Sequence, residues 1–280
     1  MPLRINDNPG SSFGLNQLND SGKALEKSLA RLSSGRKITR TADDASGSAI
    51  ANNLRSQSLA LGQSIRNAND AISVVQVADA ALGEAASLID TIRTKALQAD
   101  NDSQSIDSRR ALQADITQAL EQLNQIARTT SFNGQELLSG TFIDRQFQIG
   151  ANAGQALSIS IDSIEAGKLG NESAGPLSTI NVLTREGAQA AVEAADAAMA
   201  QIDTVRSGLG SKQNQLASAI NNLSTTRTNL ESAESAIADV DFAEETMNLA
   251  QIKALTKTKT FVLTQANNVN QESVLTLLQG

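Results

Sequence analysis

Residues 208–240 read GLGSKQNQLASAINNLSTTRTNLESAESAIADV. Leu209, Leu216, Leu223, Leu230 and Ile237 recur there every seventh residue, accompanied by Ala219, Thr226, Ala233 and Val240. An α-helix turns once per ~3.6 residues, so a repeat held at seven stays on one face only if the helix supercoils to the left around a neighbour. This stretch therefore predicts a long coiled-coil helix. No proline follows Pro176, so nothing obliges the helix to break. Running from about residue 184 to 240, it would be ~80 Å long.

Towards the C terminus, the acidic group Asp239, Asp241, Glu244 and Glu245 precedes another apolar run. Leu249, Ile252, Leu255, Val262, Leu263, Ala266 and Val269 lead to Val274, Leu275, Leu277 and Leu278. Towards the N terminus, Leu15, Leu18, Gly22, Leu25, Leu29 and Leu32 step by three and four along one narrow stripe, which Ser33, Ser34 and Gly35 end. A polar stretch through Asp43 and Asp44 leads to Ala49, Ile50 and Leu54. Ile65, Ala68, Ile72, Val75, Ala78, Leu82, Ala85, Ile89, Ile92, Ala96 and Ala99 then mark a second seam, a rod of ~50 Å.

Residues 100–107 are rich in Asp, Ser and Asn and read as a turn. A third amphipathic helix follows through Leu112, Ile116, Leu120, Leu123 and Ile126, and Asn133-Gly134 is expected to stop it. Over 141–162 the period drops to two, with Phe142, Phe147 and Ile149 before Gly150–Gly154 and Leu157, Ile159 and Ile161 after it. That is the pattern of a β-hairpin. The glycine-bearing segment Glu165–Pro176 reads as a linker. The fold class expected is mainly α, with long antiparallel helices forming coiled-coil rods and one small β-hairpin region.

Composition narrows the function. The 280 residues include 6 Phe but no Trp, Tyr, Cys or His. Aromatic side chains normally supply the largest buried areas, so Ala, Leu, Ile and Val must fill the core, which suits close helix packing. Without Cys there are no disulfides or thiolate metal sites, and without His the commonest general base is missing. Enzymatic activity is not expected. Residues 1–40 carry 7 Lys/Arg against 3 Asp/Glu, 251–280 carry 3 against 1, and 41–250 carry 13 against 26. A nucleic-acid binder would instead spread a basic stripe over one face. No membrane-spanning run is expected, and Met1, Pro2, Leu3 and Arg4 do not open a continuous apolar signal segment.

Candidate chemistry is sparse. Gly208-Leu209-Gly210 begins like a dinucleotide loop, but Gln213 stands where a third glycine belongs and no strand precedes it. Asp43 with Asp44, and the cluster Asp239 to Glu245, carry carboxylates that could hold a cation, although a solvated or ion-paired surface explains them as well. A Ser or Thr nucleophile would need a lysine base, and none is flagged. No cofactor or metal is expected. The seams point further. The terminal stripes are not expected to have a globular domain beyond them to pack on, and each Leu they bury is worth ~1.5–3 kcal/mol. Pairing the two ends with each other, and with copies of the chain in an open head-to-tail lattice, is the simplest way to cover them.

Several motifs, in order, resemble the bacterial flagellin family. Arg31-Leu-Ser-Ser-Gly-Arg-Lys-Ile-Thr-Arg-Thr-Ala-Asp-Asp-Ala45, continuing through Ala49-Ile-Ala and Ser56-Gln57, is similar to its N-terminal signature. Asn67-Ala-Asn-Asp-Ala-Ile-Ser73, Thr130-Ser-Phe-Asn-Gly134 with Leu137-Leu138, and Phe147-Gln-Ile-Gly-Ala-Asn-Ala-Gly154 follow. Ile237-Ala-Asp-Val-Asp-Phe-Ala243, Gln265-Ala-Asn267 and Leu275 to Leu278 complete the likeness.

The resemblance implies a structural subunit that polymerises into the flagellar filament for swimming motility, outside the cell. Type III export in an unfolded state is implied too, with the flagellar cap, the hook-filament junction protein and an export chaperone as partners, and without nucleic acid or membrane insertion. It implies a terminal inner-core domain of residues 1–40 plus 245–280. A helical rod of 41–244 would carry the hairpin at about 141–162 and a short linker at about 165–180, with no large outer domains. The polymerisation residues expected are Leu15, Leu18, Leu25, Leu29, Leu32, Leu249, Ile252, Leu263, Leu275, Leu277 and Leu278. The alternatives are a hook-filament junction protein and a cytoplasmic helical scaffold.

Some positions depart from the family pattern. Ala236 stands where many flagellins place an arginine, and Pro9 stiffens the N-terminal end. Relatives that activate the innate toll-like flagellin receptor carry an Arg before Val-Arg-Glu-Leu. Here Arg93 and Gln98 match that pattern while Thr91 and Lys95 depart from it, which implies weak activation.

Overall fold

The apolar periodicity is realised as long helices. The computed structural model describes residues 9–171 and 174–279 and, beyond Val269, the side chains of only Gln271, Glu272 and Leu275. Helix α1 spans Pro9–Ser34, α2 Ala45–Asp100, α3 Ile106–Thr129, α4 Arg185–Ala238 and α5 Phe242–Gln279. Proline at the first turn of α1 lacks only an N–H that has no partner there anyway. Gly35, at φ 69°, supplies the left-handed residue that closes the helix. The Ser105 side chain caps α3 by accepting from the Ser108 N–H at 3.1 Å. Helix α4 matches the heptad reading closely. Helix α2 begins well before the seam that announced it.

The chain divides into two compact units, Met1–Ser56 with Asn229–Gly280, and Gln57–Thr228. The second unit holds the large core. Its α2 segment buries Ala68, Ala71, Val75, Ala78, Leu82, Ala85, Ile89, Ile92, Ala96 and Ala99. From α3 come Leu112, Ile116, Leu120, Leu123 and Ala127, and from α4 Ala188, Ala191, Ala195, Ala198, Ile202, Leu209 and Leu216. The alanines that recur along α2 and α4 let helix backbones approach closely, which is how a core nearly free of aromatics is filled. Ion pairs fix the outer edges. Arg206 meets Asp79 at 2.9 Å between α4 and α2, and Lys95 meets Asp115 at 2.7 Å between α2 and α3.

The expectation about membranes needs amending. Helix α2 contains an 18-residue stretch of mean hydropathy 1.4, apolar enough by length and composition to cross a bilayer, of which a third is buried in the protein. The apolar stripe it buries faces the alanine-rich core.

Short strands also belong to this unit. Strands β1 (Ser131–Phe132) and β2 (Gln135–Glu136) form a minimal hairpin. Asn133-Gly134, read from sequence as a helix stop, is its two-residue turn, with φ 50° and 77°. Both central residues of a type I′ turn need positive φ, so Asn-Gly is the chemistry it selects. The predicted hairpin appears as β3 (Arg145–Gln148) paired with β4 (Ala156–Ile159), and Phe142 and Ile161 are buried beyond its ends.

The segment read as a linker differs from that expectation. Ala166, Leu169 and Leu177 are buried, and β5 (Gly170–Asn171) pairs with β6 (Gly175–Pro176) before a 3-10 turn at Leu177–Thr179. A Cβ on Gly170, whose φ is 129°, would sit 2.5 Å from the Gly175 carbonyl oxygen. The glycine there permits close backbone approach rather than looseness. Residues 172 and 173 of that segment lie outside the described residues.

Candidate functional site

The terminal unit carries the groups that the sequence singles out for association. Its α1 and α5 pack side by side, antiparallel: Lys259 reaches Gln17 and Arg31 reaches Glu245. At Gly14 the approach is close enough that a Cβ would lie 2.8 Å from Leu263 Cδ1. Lys259 Nζ donates to the Gln17 carbonyl and Oε1, both at 3.3 Å, and to Ser21 Oγ at 2.8 Å. Arg31 Nη1 stands 3.5 Å from Glu245 Oε2, and Glu245 is buried.

The turn after α1 is organised by carboxylates. Asp43 Oδ1 meets Lys27 Nζ at 2.9 Å, while Oδ2 accepts from Thr39 Oγ1 at 2.9 Å and from the Thr39 and Arg40 N–H groups. The Lys27 hydrogen bond, then that of Thr39, holds the Asp43 carboxyl well below the usual carboxylate range. Asp44 caps α2 by accepting from the Gly47 N–H at 2.8 Å, and Asp241 caps α5 by accepting from Ala243 at 2.8 Å and Glu244 at 3.2 Å. Lys37 donates to the Ala238 carbonyl at 2.7 Å and Val240 to that of Gly35 at 3.0 Å, tying the turn to the α4–α5 junction. Of the carboxylates weighed as cation ligands, Asp44 and Asp241 thus serve as caps and Asp43 and Glu245 as ion-pair partners, and no group of three or more metal-ligating side chains gathers among the described residues.

The apolar residues of this helix pair are half-covered or exposed. Of those predicted to polymerise, Leu18, Leu25, Leu32, Leu249, Ile252 and Leu263 are half-buried along the seam, whereas Leu15, Leu29 and Leu275 are exposed. The side chains of Leu277 and Leu278 lie outside the described residues. Phe13, Met247, Leu255, Phe261, Val262 and Val269 are also exposed, Phe261 at 70% and Met247 at 68%. A cleft of about 390 Å³ opens along the pair between Phe13, Gly14, Val262, Leu263 and Ala266. The Lys259 contacts and the Gly14 approach escape sequence reading, because a lone lysine and a lone glycine in an apolar run carry no periodic signal.

Residues elsewhere have plainer settings. Gly208-Leu209-Gly210 lies inside α4, with Leu209 in the core, so its N–H groups serve the helix. Thr91, Arg93, Lys95 and Gln98 all stand on α2. Thr91 donates to the Ser87 carbonyl, Arg93 pairs with Asp196, Lys95 pairs with Asp115, and Gln98 is exposed. Ala236 lines a cleft of about 390 Å³ with Arg31, Lys37, Asp43 and Asp44.

Comparison with known families decides what these surfaces belong to. The bacterial flagellin N-terminal helical region matches residues 5–143, and the bacterial flagellin C-terminal helical region matches 192–278. The chain belongs to the bacterial flagellin family. Flagellin B of Helicobacter pylori is 51% identical over 171 residues, which is 61% of this chain and 33% of that protein. The chain thus spans about a third of the length of the Helicobacter flagellins it matches. Among solved structures, a Bacillus cereus flagellin superposes with a TM-score of 0.50 at 26% identity, covering 60% of this chain and 94% of that one. A Vibrio parahaemolyticus protein described as flagellar hook-associated gives 0.59 at 15% identity, covering 70% and 100%, which is a likeness of fold. The two flagellin regions embrace α1, α2, α3 and most of α4 and α5. The segment between them holds β3 to β6.

Proposed function

We propose that this flagellin-family chain is the structural, non-enzymatic subunit of a bacterial flagellar filament, working outside the cell and polymerising through α1 and α5. The observation that carries the reading is the state of that helix pair. It is held together by polar contacts and a half-buried leucine seam, while Phe13, Leu15, Leu29, Leu255, Phe261 and Val262 stay exposed on both helices. That many large apolar side chains left uncovered on one helix pair point to an association surface, and a head-to-tail contact that does not close yields a filament. Residues 1–40 plus 245–280 then form the inner layer of the tube and 41–244 the rod outside it. Export through the flagellar channel and contact with cap, junction protein and chaperone accompany that role.

Seeded growth tests the proposal. Purified chain added to filament fragments should elongate them under the electron microscope, and removal of the last ~25 residues should leave a monomer that does not add, because exposed Phe261, Val262, Val269 and Leu275 are gone. A full chain that binds seed ends without extending them contradicts the filament reading and favours a junction protein. Weak activation of the toll-like flagellin receptor is proposed as well. Thr91 lacks the planar donor fork that an arginine would present, and Lys95 is turned to Asp115. A cell reporter that responds as strongly as to an activating flagellin would overturn it.

A further inference from the structure

An apolar seam does not by itself fix how two helices line up. Leu18, Leu25 and Leu32 repeat every seven residues on α1, and Leu249, Thr256 and Leu263 do the same on α5, all of them half-buried. Sliding one helix by a heptad returns each of these residues to an equivalent place along the seam. The polar contacts lack that freedom. Lys259 meets Gln17 and Ser21, and Glu245 meets Arg31. Gln17 and Arg31 are two heptads apart on α1, and Glu245 and Lys259 are two heptads apart on α5, so both contacts form in one register. Among the described residues, Ser21, Ser28 and Glu245 are the buried polar residues of this pair, at 7%, 2% and 7% exposure. Lys259 meets only neutral acceptors among the described residues.

We propose that Lys259 and the Arg31–Glu245 pair are the register-determining residues of the α1–α5 pairing. The proposal rests on the filament reading for its purpose and on the contacts above for its geometry. A slip of one heptad in one direction brings Lys259 opposite Ala24 and Arg31 opposite Ile252. In the other direction Lys259 faces Gly10 and Glu245 faces Ala24. Either way charged groups lose their partners inside a seam, and a single polar position in a coiled coil excludes alternative alignments by that means. A filament subunit has reason to need it, since a slipped pair displaces the whole exposed strip on α5 relative to α1.

The absence of native cysteine makes the register measurable. Gly14→Cys with Leu263→Cys reports the native alignment, since the two sites touch, and Gly14→Cys with Thr256→Cys reports a one-heptad slip. Oxidation is followed on the full chain, both soluble and after growth on seeds, by peptide mapping of the monomer-mass species. Single-cysteine chains mixed together give the intermolecular background. The native pair should oxidise at least about tenfold faster than the slip pair, the ratio that a register preference of ~1.4 kcal/mol gives. With Lys259→Met, Arg31→Met and Glu245→Met combined, the ratio should fall towards one while helix content by circular dichroism holds. Exchanging the charges with Arg31→Glu and Glu245→Arg should preserve the ratio. An unchanged ratio in the triple variant would overturn the proposal, as would loss of both disulfides there, loss of the ratio in the exchanged variant, or a native pair that oxidises in neither state. Failure to grow on seeds with the ratio intact counts against the filament reading alone.

Discussion

Asp43 shows how much one side chain can organise. Its carboxylate joins Lys27 on α1 to Thr39 and Arg40 in the following turn, so a single anion gathers donors from two segments. Because that company lowers its folded pKa, linkage gives the sign of the pH dependence. The contribution is complete above the unfolded value of ~3.9 and disappears as pH falls from there through the folded value. Asp43→Asn should therefore unfold at a lower temperature than the parent at pH 7, with the gap narrowing below about pH 4 as the aspartate of the unfolded parent chain takes up a proton that the folded one does not. Thermal melts from pH 7 to pH 2 check this, and a gap that widens in acid would contradict it. Sequence reading placed Asp43 in a polar stretch but not among these partners, because Lys27 and Thr39 reach it only once α1 has ended at Ser34.

At the scale of elements, burial separates two kinds of leucine-rich helix. Leu82 on α2 is fully buried, whereas Phe261 on α5 is 70% exposed. Leu82→Ala should lower the stability of the soluble chain by about 2–5 kcal/mol, the usual range for a cavity of that size. Phe261→Ala should stay within about 0.5 kcal/mol, as surface substitutions do, yet slow growth on seeds. Denaturant titration beside a growth assay separates the two, and equal losses of stability would contradict the distinction. The helices were legible in sequence because three-and-four spacing survives over many turns, from Ala68 to Ala99 and from Leu209 to Ile237. The β3–β4 hairpin was legible through the alternation around Phe147 and Leu157. Strands of two residues, such as Ser131–Phe132, are too short to show a period, so Asn133-Gly134 read as a stop rather than a turn. The segment holding buried Ala166, Leu169 and Leu177 reads as a linker in sequence because glycine signals flexibility there, whereas Gly170 permits close backbone approach. The terminal stripes are legible in sequence as apolar helix faces, but their polar contacts are not, since Lys259 and Ser21 find each other only after two helices meet.

For the whole molecule, the alanine-rich core of residues 57–228 and the apolar pair α1–α5 play different parts. The first buries its stripes within the chain. The second leaves large apolar side chains uncovered, so its protection should come from neighbours in the assembly. Amide hydrogen exchange tests this most directly, read by mass spectrometry on soluble chain and on grown filaments side by side. Amides of α1 and α5 should exchange quickly in the soluble chain and slowly in filaments, while α2 between Ala68 and Ala99 is slow in both. Terminal helices already as protected in the soluble chain as in the filament would contradict the central claim.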